Sequence, residues 1–223
     1  MIATQGSSMT IQPLPQPLPL FPLGTVLFPG GFLPLRIFEV RYLDMIGKCH
    51  KAGTPFGVVS LTQGAEVRRA GAEAERFAGV GTLAEIREFD VPQVGLMQIA
   101  CVGTQRFRVR TSALQTHGLW TAEVETVADD VALAVPDDLR AVSDALRRLV
   151  DTLEERRRSE GGEQVRLPVQ APFRFDDCGW VANRWCELLP VPPELKQRLM
   201  ELDSPLMRLE LVGDLLVRTG ITK

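Results

Sequence analysis

Histidine is nearly absent from this chain and cysteine is scattered. Only His50 and His117 occur in 223 residues, and the four cysteines, Cys49, Cys101, Cys178 and Cys186, form no C-x-x-C pair. A zinc site needs three or four nitrogen or sulfur ligands at close spacing, so no structural metal is expected. Cys49 and His50 are neighbours, but adjacent residues on a helix point about 100° apart. Basic residues are missing from Met1 to Gln16, whereas a secretion signal starts with them and continues as an unbroken apolar run. Here the apolar stretch is cut at Pro19, Pro22 and Pro29, and each proline removes a main-chain donor that a bilayer could not replace. The sequence therefore predicts a cytoplasmic chain with free thiols and no membrane contact.

Motifs for nucleotide and acyl chemistry are also missing. Gly47-Lys48 has neither the preceding glycine nor the following Ser or Thr of a phosphate loop, and there is no G-x-S-x-G elbow. GVGTLA (Gly79 to Ala84) matches a dinucleotide fingerprint in letters only. That loop needs a helix after it and an acidic residue about twenty positions on, but Thr82 to Ile86 reads as strand and Ile99 stands at the acidic position. Two histidines, one beside Cys49 and one in QTHG, supply no base to a nucleophile. No catalytic residue, cofactor or metal is assigned. The net charge of −3 and pI near 5.5 argue against a nucleic-acid partner. Arg106, Arg108 and Arg110 are read as a solvated strand face, and Arg156 to Arg158 as the basic end of a helix.

What remains is a strongly apolar, proline-broken opening, PLFPLGTVLFPGGFLPLRIFEVRY. Thr25 to Phe28, the turn Pro29-Gly30-Gly31 and Phe32 to Ile37 read as strand, turn and strand. Pro22 and Pro34 belong at edges, bends or strand starts. Val40, Leu43, Ile46 and Cys49 then recur every three residues and predict a helix over Phe38–Lys51, stopped by Gly53. Strand patterns return at Pro55–Leu61, Arg76–Ile86, Leu96–Gly103, Arg106–Ser112 and Leu119–Val127, separated early by a polar loop from Thr62 to Glu75. Such strands bury one face only by closing on themselves or on a second sheet.

Beyond Asp129 the period becomes helical. Leu139, Val142, Leu146, Leu149 and Leu153 draw one stripe down a helix of about twenty residues opened near Pro136. Asp176 or Asp177, Pro192-Pro193-Glu194 and Ser204-Pro205 open three more, ending at Leu189, Leu202 and Arg218.

LPLFPLGTVLFPGGFLPLRIFEVRYLDMI resembles the start of the Lon protease N-terminal domain, a family that also occurs as stand-alone bacterial proteins and within cereblon. VGTLAEI, then LMQIACVGTQRFRV with its G-x-x-R-F element, is similar to the family's central strands. ELLPVPPELKQRLMELDSPLMRLELVGDLL is similar to its closing helices. The resemblance implies an α+β fold, a PUA-like antiparallel β-barrel followed by a C-terminal helical bundle. The expected layout is a flexible tail over 1–17, a barrel domain over 18–128 and a bundle domain over 136–220. The family's ATPase and peptidase modules have no counterpart in these residues, so no catalytic position carries over.

The function implied is non-enzymatic binding of polypeptide, including unfolded or tagged proteins, in protein quality control. A small hydrolase or ligand-binding enzyme using the cleft between barrel and helices is the rival, and RNA binding by fold analogy is third. Phe28 and Phe32, which flank the glycine turn, and Arg36 are the candidate binding residues, with Phe28 expected inward and Phe32 partly outward. Arg36, Glu39 and Arg41 are further read as a structural cluster, a carboxylate between two guanidiniums.

Overall fold

A computed structural model describes residues 14–66, 75–159 and 166–222. Most of the expected 1–17 tail, and parts of the expected loops at 62–75 and 154–164, lie outside the described residues. Six strands come first: β1 (Leu18–Leu23), β2 (Phe32–Ile37), β3 (Phe56–Gln63), β4 (Arg76–Gln93), β5 (Leu96–Leu114) and β6 (Trp120–Thr126). Helix α1 (Val40–Ala52) lies between β2 and β3, and α2 (Arg140–Ser159), α3 (Cys178–Leu188), α4 (Pro193–Glu201) and α5 (Pro205–Arg218) follow. The strand order β2-β5-β4-β3-β1-β6, with a further β5–β6 pairing, closes a five-stranded ring and leaves β2 outside it. This is the expected α+β arrangement of barrel then helices. One pair departs from the antiparallel expectation, since β1 runs parallel to β3.

Both prolines of β1 fall where that strand has a neighbour on one side only. Pro19 is opposite Thr121 of β6, and Pro22 is opposite Val59 of β3. Leu20 alone is paired on both sides, with Gly57 and Trp120. A residue without an N–H is tolerated where no second ladder asks for one.

Two strand expectations need correction. Thr25 to Phe28 is not a strand, and the opening is not a hairpin. Its alternation is real, but it serves two cores: Val26 and Phe28 enter the helical core, whereas Leu27 enters the barrel core. Thr82 Oγ1 donates to the Leu27 carbonyl at 2.6 Å in place of a ladder. The expected pair Leu96–Gly103 and Arg106–Ser112 is one strand, β5, which serves β2 with its first half and β6 with its second.

The helix ends follow their local signals, but the stripe expected on α1 does not hold throughout: Val40 is 80% exposed, and Tyr42 and Met45 are buried beside Ile46 and Cys49. Gly53 closes α1 at φ 65, the left-handed value that glycine adopts without penalty. Asp177 accepts from Trp180 N to cap α3, and Ser204 accepts from Met207 N to cap α5.

The charge cluster at the β2–α1 corner is the reverse of the one expected. Arg36 is exposed, and a single buried guanidinium, Arg41, sits between two carboxylates, Glu39 at 3.1 Å and Glu75 at 3.2 Å. Arg41 also donates to the Gly118 carbonyl at 2.8 Å. Burial works against the charge of Glu75, but hydrogen bonds from its own backbone, Trp120 and Arg41 outweigh it and hold the carboxyl below its ordinary range. Because Glu39 is 21% exposed and Glu75 only 4%, Glu75→Ala should cost about 2–3 kcal/mol and Glu39→Ala about 1 kcal/mol or less. Urea melts of the two variants check the order; equal losses would show that Glu39 carries the corner.

Candidate functional site

The glycine turn is where barrel and bundle meet, and both hold it. Gly30 has φ 74. Gly30 N donates to the Gly103 carbonyl and Gly103 N to that of Gly31, both at 2.8 Å. From α3, Arg184 donates to the carbonyls of Pro29, at 2.8 Å, and Gly30. Phe28 is fully buried among the helices. It faces inward as expected, so its ring cannot touch a partner, and its candidacy as a binding residue is withdrawn. Phe32 is half-buried, with the Arg166 guanidinium 5.3 Å above its ring. Arg166 is in turn ion-paired with Glu88 of β4. Arg36 is exposed and makes no ion pair among the described residues.

Three concavities share Phe32. The first, 570 Å³, runs between barrel and bundle past Trp180, Arg174, Asp129 and Asn183. The second, 430 Å³, is the most apolar in character, with Leu33, Pro34, Leu167, Pro168 and Leu188 around Glu187 and Lys196. The third, 580 Å³, lies over the outer barrel surface beside Pro34, Arg36, Phe89 and Ala100. Pro34 and Arg166 border the second and third alike. Together they form a branched groove around Phe32, in which Leu33, Pro34, Leu167 and Leu188 supply apolar surface and Asp129, Arg174, Arg166, Glu187 and Arg36 supply charge.

Beneath the first concavity lies a buried polar knot. The carboxylate of Asp130 lies between Arg106, at 3.2 Å, and Arg208, at 2.6 Å. Arg106 also donates to the carbonyls of Met200 and Leu202, each at 2.9 Å, and Arg208 to that of Leu199 at 3.0 Å. The two guanidiniums thereby satisfy the open carbonyls at the end of α4. Arg106 was expected on a solvated face; it is 4% exposed, while Arg108 and Arg110 do face outward. A register shift between Thr82 and Ala84 in the β4–β5 pair, next to Arg106, accompanies this break in the alternation.

Glu187 titrates in the working range. Burial raises its carboxyl to about 7, against the opposing pull of Arg184 and Lys196. Arg184 Nε lies 3.3 Å from Glu187 Oε2, and Lys196 Nζ donates to the Glu187 carbonyl at 2.9 Å. The folded value lies above the ordinary 4.5, so the stability this group contributes is complete below the ordinary value and is lost as pH rises through about 7. The melting temperature should therefore fall between pH 5 and 7.5, and Glu187→Gln should flatten that fall. An unchanged slope in the variant would assign the titration elsewhere.

The four thiols are not activated as nucleophiles. Burial raises all four thiols, Cys101 and Cys186 to about 12, and all four are free and buried. Among the described residues no group of His, Cys, Asp and Glu could hold a metal ion. His50 is stacked on Phe89 at 4.1 Å, away from any such role.

Of the three candidate binding residues, the groove brings Phe32 and Arg36 together. Sequence reasoning missed Trp180, Arg166, Glu187 and Asp130. Trp180 could have been suspected from its place in the first turn after the Asp177 cap; the others carry no local signal.

Comparison with known proteins gives a consistent picture. The model of the ATP-dependent protease La (LON) substrate-binding domain matches residues 17–218. The chain is similar to Lon protease of Paraburkholderia phytofirmans, 29% identical over 203 residues, covering 89% of this chain and 24% of that protein. It is similar to cereblon of Danio rerio, 30% identical over 131 residues, covering 57% and 28%. It thus spans about a quarter of the length of these relatives. Among solved structures, a Lon N-terminal domain protein from Xanthomonas campestris superposes with TM-score 0.67 at 30% identity, covering 88% of this chain and 96% of that one. The N-terminal domain of Mycobacterium avium complex Lon protease, at 18% identity and TM-score 0.54, shares the fold.

Proposed function

The chain belongs to the LON substrate-binding domain family, and from that premise we propose that it binds polypeptide, unfolded or tagged, in the branched groove around Phe32. The observation that carries the reading is the meeting of three concavities at one half-buried aromatic ring. Apolar grooves with a few charged groups at their rims suit side chains of varied sequence, and aromatic anchors at their centres dominate the binding energy. The matched family region is a substrate-binding domain, and no phosphate loop occurs in these residues, so this region is read as a binder rather than a catalytic module. Its acidic balance supports protein over nucleic acid as partner. Among the described residues no helix is long and apolar enough to cross a membrane, and a cytoplasmic location is part of this proposal.

Phe32→Ser tests it. The ring is only half-buried, so stability should drop by about 1 kcal/mol or less, while affinity for fluorescein-labelled, reduced and carboxymethylated α-lactalbumin should fall about tenfold or more. A variant that stays folded and binds this unfolded probe as the parent does places the site elsewhere.

A further inference from the structure

Strand β2 is outside the ring, and only β5 pairs with it. Its six residues run opposite Val102 to Met97 without a bulge, whereas the β3–β4, β4–β5 and β5–β6 pairs all contain register shifts. Gly103 N donates to the Gly31 carbonyl, which sets the parity of the ladder. Leu33, Leu35 and Ile37 exchange bonds with β5; Phe32, Pro34 and Arg36 turn their main-chain groups away from it. Pro34 is admissible for that reason, having no N–H to offer on the side where none is used. Among the described residues, no hydrogen bond reaches residues 32–37 from outside β5. The outer edge therefore presents the N–H and C=O of Phe32, the C=O of Pro34 and both groups of Arg36. Consecutive strand residues point to opposite faces, so a cavity lined by Phe32, Leu33 and Pro34 together opens along the edge. Arg166, Leu167 and Pro168 also line that cavity, as do Thr25 to Leu27 and Glu187.

We propose that bound polypeptide is held by strand addition, an extended segment pairing main chain to main chain with the outer edge of β2, beside residues 166–168. The inference rests on the polypeptide-binding reading and specifies its mode. A row of alternating donors and acceptors is matched by an extended main chain, whatever its side chains, which is the chemistry a binder of many sequences needs. The edge is short and Pro34 withholds one donor, so the pairing is weak enough to release its occupant.

The probe is a fluorescein-labelled synthetic peptide of alternating Val and Thr with Lys ends, measured by anisotropy. Arg36→Pro deletes an outward N–H without touching the β5 ladder and should weaken binding about tenfold, the order expected for one lost hydrogen bond. Arg36→Ala keeps the N–H and removes only the guanidinium, so it should weaken binding clearly less than Arg36→Pro; equal losses would assign the effect to the side chain and overturn the pairing. N-methylating the peptide along one edge should be tolerated, because the other edge still pairs; N-methylating both edges should abolish binding. The last arm needs no protein variant and decides the question if Arg36→Pro melts early. A doubly methylated peptide that binds like the parent overturns strand addition and leaves the groove reading intact. No binding of the unmodified peptide or of unfolded α-lactalbumin overturns both. If the parent self-associates and Arg36→Pro abolishes it, the occupant is a second copy of this chain and the proposal is wrong.

Discussion

Asp130→Ala should destabilise the protein by about 3–4 kcal/mol, a fall in melting temperature of roughly 10 °C for a domain of this size. Arg106 and Arg208 are 4% and 1% exposed, and Asp130 is the carboxylate they share. Without it two buried guanidiniums face each other, and Arg106 keeps only the exposed carboxylate of Asp203 at 3.9 Å beside neutral acceptors. Burial already lowers the pKa of Arg106, despite the favourable pull of Asp130. Removing the acid makes the deficit worse. Asp130→Asn, which keeps one acceptor oxygen, should recover about half of the loss. Chemical denaturation of the two variants beside the parent measures this. A loss for Asp130→Ala below about 1 kcal/mol would mean that solvent, reaching an aspartate 18% exposed, already screens the knot.

Phe28→Ser should cost about 4 kcal/mol or more. The ring has no exposed surface and lies among the helices, although it belongs to the chain segment that enters the barrel. Truncation adds the lost transfer energy to a cavity that neither layer can collapse to fill, and the serine hydroxyl finds no assured partner there. The comparison with Phe32→Ser is the informative one, since the two residues flank the same turn. Early melting should belong to Phe28→Ser, and loss of capture to Phe32→Ser. If Phe28→Ser melts within about 1 kcal/mol of the parent, the barrel and the helices do not share this anchor.

How legible these features were in the sequence depended on the range of the signal. Helices announce themselves locally: Asp177, Ser204, Pro193 and Gly53 all stand at the ends of the helices they were expected to bound. The strand-rich first half was legible as a class, but its boundaries were not. Thr25 to Phe28 alternates like a strand because each face has a core to enter, and no property of four residues tells two cores from a sheet. The β5 strand looked like two because a glycine, Gly103, closes the first pattern, yet Gly103 is a glycine because the chain of the Phe28 turn crosses it closely. Polar residues were the least legible. The acceptor of Arg106 lies 94 positions away, and that of Arg184 lies 155. The carboxylate between two guanidiniums exists in this fold, but it is Asp130, in a connector that looked featureless. At Arg36 and Arg41 the local pattern suggested the right kind of chemistry with its signs exchanged.

The closure of the ring between β1 and β6 has a consequence for synthesis. Leu18 to Leu20 wait for Trp120 to Ala122, so on the ribosome the first strand emerges on the order of ten seconds before the partner that closes the ring. Until β3 and then β6 emerge, LPLFPL is an apolar segment lacking first both strand partners and then one, the kind that zips into aggregates when it can pair on both edges. Pro19 and Pro22 deny it that. Each interrupts one edge of the nascent strand, and in the finished barrel each falls where no neighbour misses the donor. The residues that make the opening look broken keep it single until its last partner arrives.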